Sequence, residues 1–342
     1  MRAMVQTGFG GPEVVRLHDL AEPVAGPTDA VVAVDAAALN RLDLLQRRGP
    51  GLLPGFALPH IAGMDLAGRV VAAGSAVTSL RVGDRVVVDP TTGCGRCAHC
   101  VSGNPGYCAT VAVIGGNRPG GFAEYVAVPA ALAHRVPDHI ALADAAALPT
   151  AWAVAFNALH RVGQLRSGET VLIPAATSAV SMAAIQLARR AGARVVAIAR
   201  TEAKRAAATD LGADVVLDLD DRTAAAVAAY TDGHGVDLVV DHVGAATWNL
   251  SLGMLRTEGR LVLLGNTSGD QVSLSLANVY HRGLRLLGAG AYTPADFAAM
   301  LDVFFAGGMR VVRAAEYPLT DLAEAYARQE SGDLVGKILI RP

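Results

Sequence analysis

The chain has few cysteines, and they are not spread along it. Only four occur in 342 residues, and all four lie between positions 94 and 108. A framework of disulfide staples needs partners scattered through the sequence, so that architecture is excluded and the thiols require a local explanation. Charge is sparse and balanced: Lys and Arg number 29 and Asp and Glu 31, for a net charge of −2. Without a basic excess, nothing favours a nucleic acid or an anionic membrane as partner. No run of roughly eighteen apolar residues is present, which excludes a membrane-spanning helix of the usual kind. The stretch from Met1 to Gly11 has no continuous apolar segment. A secretory signal is therefore not expected, and the expected location is cytoplasmic.

What is present is apolar. The hydrophobic fraction of 52% is ample for two cores in a chain of this length. Residues 2–7, 14–20, 30–39, 66–73, 85–89 and 122–128 read as strands, with Gly and Pro at most corners, so the first part is all-β in character. The period then changes. Six apolar strands, beginning at 170, 194, 215, 236, 260 and 284, alternate with helical patterns, as in a doubly wound parallel sheet. Its opening unit is residues 171–192. A β-branched strand is followed by a turn of small residues and then a helix whose Val180, Ala183, Ala184, Leu187, Ala188 and Ala191 share one face. We expect a β domain over 1–126, a dinucleotide-binding domain over 127–292, and a return to the first domain over 293–342.

Cys94, Cys97, Cys100 and Cys108 form C-x2-C-x2-C-x7-C. Close spacing aims several thiolates at one point and suits a tetrahedral Zn2+. Four protein ligands leave no open position, so such a site is structural. Free thiols are the plain alternative. An iron–sulfur run is the sharper one, but it wants its fourth Cys after three residues and before Pro, whereas here it follows seven and precedes Ala109. The lobe is expected over about residues 91–110, with His99 at the surface rather than on the metal.

The turn at 175–181 lacks the glycines of a dinucleotide fingerprint: Ala175, Thr177, Ala179 and Ser181 stand in their places. Small side chains still permit close approach. Thr177, Ser178, Ala179 and Val180, at a helix start, are the candidate phosphate ligands. After the second strand, Ala199 stands where an NAD-binding chain carries an acid, and Arg200, Thr201 and Lys204 follow. Arg suits a 2′-phosphate, which points to NADPH; a solvated helix start is the alternative. His242, Gly265 and Asn266 end parallel strands and are candidates to line the cofactor cleft, with a structural role equally open for His242.

Several short stretches, taken in order, resemble the medium-chain dehydrogenase/reductase superfamily over nearly the whole chain. They include Leu39-Asn40-Arg41-Leu42-Asp43, Gly63-Met64-Asp65-Leu66-Ala67-Gly68, Val82-Gly83-Asp84-Arg85-Val86, Gly121-Phe122-Ala123-Glu124-Tyr125 and Gly336-Lys337. The resemblance implies a GroES-like β domain with a Rossmann domain, hydride transfer with a nicotinamide cofactor, and a homodimer. It also places Lys337 among the cofactor contacts. Zinc alcohol dehydrogenases of this superfamily carry Cys at the position of Asn40 and His-Glu at those of Met64-Asp65. No Cys is present near Pro149-Thr150-Ala151 for a third ligand. The resemblance is therefore to quinone and enoyl reductases, whose Asn-x-x-Asp matches Asn40 and Asp43. The substrate it implies is a conjugated carbonyl or quinone, with Asn40 beside the nicotinamide. A zinc alcohol dehydrogenase and a non-redox binding or biosynthetic protein on the same fold are the alternatives. For Asn40 and Asp43 the competing role is to cap the short helix that follows.

Overall fold

The computed structural model describes residues 1–49 and 53–342. Part of the 48–60 loop, expected to shape the substrate pocket, therefore lies outside the described residues. The strands in chain order are β1 (Arg2–Gln6), β2 (Val15–Asp19), β3 (Asp29–Ala38), β4 (Asp65–Ala73), β5 (Arg85–Val88), β6 (Thr91–Thr92), β7 (Ala112–Val113), β8 (Tyr125–Pro129) and β9 (Ala133–Arg135). They continue as β10 (Thr170–Ile173), β11 (Arg194–Ile198), β12 (Val215–Leu217), β13 (Val236–Asp241), β14 (Leu255–Leu263), β15 (Arg285–Gly288), β16 (Arg313–Pro318) and β17 (Lys337–Arg341). Two compact units form: Met1–Ala151 with Thr293–Pro342, and Trp152–Tyr292.

In the first unit a seven-stranded sheet runs β16-β17-β3-β4-β5-β9, with β8 also paired to β3. The Val/Ala run of β3 is buried along most of its length, as befits a strand flanked on both edges. Two register shifts against β4 bend it. Gly68 is required at the crossing, because a Cβ there would lie 2.0 Å from the Ala33 carbonyl oxygen. Val32, Leu66, Val86, Val128, Phe122, Tyr326 and Ile338 fill the core. The expected boundary at 126/127 is corrected. It falls inside β8, where Ala127, Val128 and Pro129 pair with β3, so the first unit continues to Ala151.

In the second unit six strands, every pair parallel, take the order β12-β11-β10-β13-β14-β15. Numbered within the unit this is 3-2-1-4-5-6, the Rossmann order, whose reversal between β10 and β13 opens a crevice at the carboxyl ends of those strands. Together these are a GroES-like β domain and a Rossmann domain. No helix among the described residues is long and apolar enough to cross a membrane.

Candidate active site

Strand register in the first unit brings distant residues together. Leu339 of β17 and Asp65 of β4 both pair with Ala38 of β3. Asn40 follows the end of β3 and Lys337 begins β17, so Asn40, Asp65 and Lys337 share one end of three adjacent strands. Lys337 Nζ, in a side chain with only 5% exposure, donates to Asn40 Oδ1 at 2.7 Å, Asp65 Oδ2 at 3.0 Å and the Leu39 carbonyl at 3.2 Å. Asp65 Oδ1 accepts from the Thr150 amide at 2.9 Å and from its hydroxyl at 2.5 Å. Asn40, Asp65 and Thr150, drawn from the three stretches compared with zinc ligands, thus converge on an ammonium and its counter-ion. Met64 packs instead among Cys108, Val111 and Val113. Lys337, expected among the cofactor contacts, has all three ammonium hydrogens engaged by this cluster.

Asp43 Oδ2 accepts from the Asn40 amide at 2.7 Å, which ties down the start of the helix Arg41–Arg48. With the Asn40 side chain facing the Asp43 amide, the two residues form the capping box of that helix. Asp43 Oδ1 accepts from Gly63 N at 3.3 Å. Burial pushes the Asp43 carboxyl up to about 7, and the Asp65 carboxylate adds to the rise. The two amide donors and Lys337 oppose it without winning.

The four cysteine sulfurs all lie within 4.8 Å of one another. Zn–S bonds of about 2.3 Å at tetrahedral angles put sulfurs about 3.8 Å apart. Cys97–Cys100 at 3.5 Å and Cys94–Cys100 at 4.0 Å bracket that spacing, so the residues present fit a four-thiolate metal. Gly93 makes room: a Cβ there would come within 2.4 Å of Cys100 Sγ. His99 is exposed against Tyr107 and does not join the cluster.

In the second unit the turn between β10 and the helix Ala179–Arg190 keeps a strained trace of its missing glycine. Ala175 has φ +48°, a conformation that favours glycine. Ser178 caps the helix, accepting from Ser181 N at 3.0 Å. His242, at the end of β13, places Nε2 at 2.9 Å from both Ser178 Oγ and Ser181 Oγ. Ser181 gives its one hydroxyl hydrogen to the Pro174 carbonyl at 2.9 Å, so towards His242 it accepts and Nε2 carries the hydrogen.

The histidine is itself packed from above, since a Cβ on Gly265 would meet the His242 carbonyl at 2.8 Å. Asp241 anchors the same corner through the amides of Val243 and Gly244 and the hydroxyls of Thr247 and Ser251. At the end of β11, Thr201 caps the next helix. Arg200 is exposed, and its guanidinium makes no hydrogen bond or ion pair among the described residues. Arg205 is held by Asp218 and two carbonyls. Asn266 is exposed beside Gly265.

Asp65, Thr150 and Asp241 were not expected as site residues. For Asp65 and Thr150 the sequence signal was their place in the stretches compared with zinc ligands; Asp241 had none.

Comparison with known proteins agrees with both units. The Alcohol dehydrogenase GroES-like domain family matches residues 26–138, and the Zinc-binding dehydrogenase family matches residues 179–306. The chain is 28% identical to an acryloyl-coenzyme A reductase of Sulfurisphaera tokodaii, with 100% of both chains covered. It is 30% identical to a quinone oxidoreductase of Pseudomonas aeruginosa, covering 98% of this chain and 97% of that one. A crystal structure of an NAD-dependent alcohol dehydrogenase superposes with a TM-score of 0.96 at 36% identity, with 100% of both chains covered. The chain belongs to the medium-chain dehydrogenase/reductase superfamily. It is a nicotinamide-dependent oxidoreductase.

Proposed function

We propose that the protein is an NADPH-dependent reductase of conjugated carbonyls, either enones and enoyl thioesters or quinones, with one structural Zn2+ held by Cys94, Cys97, Cys100 and Cys108. The observation that carries this reading is the ammonium cluster. An amide oxygen and a carboxylate already engaged by Lys337, with a thioether turned into apolar packing, are a poor set for a catalytic zinc. Without a Lewis acid to hold an alkoxide, alcohol oxidation loses its main electrostatic support. The relatives that reduce acryloyl-coenzyme A and quinones fit such a site.

When bound, the nicotinamide would supply a hydride for the β-carbon of an enone or enoyl thioester, with the C=C electron pair moving towards the carbonyl oxygen. That oxygen accepts from the Asn40 amide as its charge grows. The α-carbon then takes a proton. One C=C, one NADPH and one proton give one saturated carbonyl and NADP+. Asp43 fixes the Asn40 backbone and is a positioning residue. The Ser178 hydroxyl and the helix-start amides at Ala179 and Val180, with Thr177 in the same turn, receive the diphosphate. Arg200, beside Thr201 and Lys204, receives the 2′-phosphate. Following the family, we take the protein as a cytoplasmic homodimer.

The test is fluorescence titration with NADPH and NADH, followed by a panel of enones, enoyl thioesters, quinones and primary and secondary alcohols. Tighter NADPH binding with turnover of conjugated carbonyls is expected. Turnover of alcohols alone would make the chain an alcohol dehydrogenase. No saturation by either nucleotide would make it a non-redox protein.

A further inference from the structure

We propose that Lys337 fixes the orientation of the Asn40 amide, holding its oxygen and leaving its N–H group for the substrate, and so favours a substrate that presents a hydrogen-bond acceptor. The inference rests on the reductase reading and adds to it the residue that sets specificity.

An ammonium can donate and never accept. At 2.7 Å from Lys337 Nζ, the Asn40 side chain must therefore present its oxygen. Turned the other way, the amide would point two N–H groups at a cation. Lys337 cannot move aside, because Asp65 and the Leu39 carbonyl hold its other hydrogens. Asp65 is held in turn by Thr150. On the far side of the amide, Nδ2 has one long contact, 3.4 Å to the Ala38 carbonyl. Asn40 therefore has spare donor capacity on its nitrogen, in a residue only 8% exposed.

Two chemical consequences follow. The cation on the oxygen draws electron density through the amide and makes the N–H a stronger donor. A carbonyl oxygen becoming an enolate gains from that donor in proportion to its growing charge. An alcohol that must give up its hydroxyl proton finds in this amide only an oxygen already paired with a cation, and so a poor base. The polarity of one buried amide, set by a residue about three hundred positions away in sequence, separates carbonyl reduction from alcohol oxidation.

The experiment compares wild type with Lys337→Met, Lys337→Arg and Asn40→Asp. It measures the NADPH dissociation constant, the thermal midpoint, and kcat and KM separately on the best conjugated carbonyl. We expect Lys337→Met to bind NADPH within about twofold of wild type and to lose about ten- to a hundredfold in kcat. KM should change less, and Lys337→Arg should recover part of the loss. Asn40→Asp keeps the contact with Lys337 but offers no N–H, and should fall at least as far. If Lys337→Met does not fold, the double variant Lys337→Met with Asp65→Asn, which leaves no charge buried alone, takes its place. Wild-type kcat in the folded Lys337→Met or double variant, or in Asn40→Asp, overturns the inference. A wild-type protein that binds NADPH but reduces no conjugated carbonyl overturns the reductase reading instead.

Discussion

Ser181 stands where a dinucleotide-binding loop has its last glycine, and its hydroxyl lies 2.9 Å from His242 Nε2. The same nitrogen reaches Ser178 Oγ at 2.9 Å, so one imidazole clamps the first turn of the helix proposed to receive the diphosphate. Replacing His242 by Phe removes both bonds while keeping bulk against Gly265. A lost hydrogen bond of this kind is worth about 1 kcal/mol, so NADPH affinity should fall roughly fivefold to tenfold. Fluorescence titration checks this, and an unchanged dissociation constant would remove the clamp from the account.

Ala175 carries the cost of a missing glycine in its backbone. At φ +48°, Ala is strained where Gly is not. Ala175→Gly should stabilise the second unit by about 0.5–1 kcal/mol, even after the extra freedom it adds to the unfolded chain. Thermal unfolding of the variant beside wild type measures the difference; a lower midpoint would contradict the strain argument.

The cysteine lobe should hold one zinc per chain. Metal analysis of the purified protein gives the count, and Cys97→Ser should reduce it while lowering the thermal midpoint by several degrees, since structural zinc contributes directly to folding. NADPH binding should survive, because the residues proposed to bind the dinucleotide belong to the other unit. Two zinc ions per wild-type chain would reopen the assignment of the Lys337 cluster.

Asp43 makes stability depend on pH in a definite direction. Its carboxyl has an ordinary value of 3.8 and is pushed up to about 7 in the fold, chiefly by burial. Between pH 4 and pH 7 the unfolded chain releases this proton while the folded chain keeps it, so stability falls as pH rises. Below pH 4 both states are protonated and the penalty is absent; above pH 7 it is fully present. The slope is on the order of 1 kcal/mol per pH unit within the window. Denaturant unfolding from pH 4 to pH 8 should show a flatter profile for Asp43→Asn, whose side-chain oxygen still accepts from Asn40 N. Parallel profiles would mean that Asp43 titrates normally.

These sites differ in how far the bare sequence displayed them. The four cysteines fall within fifteen consecutive positions, so their spacing alone carried their geometry. The strand, turn and helix over 170–190 are likewise contiguous, and their apolar period was plain. The Lys337 cluster was hidden because strand pairing, not spacing, builds it: Asp65 and Leu339 both meet Ala38. Lys337 was seen only as half of a Gly-Lys pair, and a lysine in isolation reads as a ligand for phosphate. His242 was legible as a residue at a strand end, but its partners lie about sixty positions earlier. The 126/127 boundary cuts through the strand expected over 122–128, whose partner β3 lies far back in the chain.

The position of β17 between β16 and β3 has a consequence for the order in which the protein is made. A ribosome delivers Asn40 and Asp65 early and Lys337 only after the whole second unit has emerged. Until then the buried Asp65 carboxylate has no counter-charge and β3 lacks a neighbour along part of one edge. The sheet of the first unit is completed along that edge only when β17 joins it. Under the proposed roles, a chain halted before Lys337 should hold the proposed nucleotide-binding residues and yet reduce no substrate.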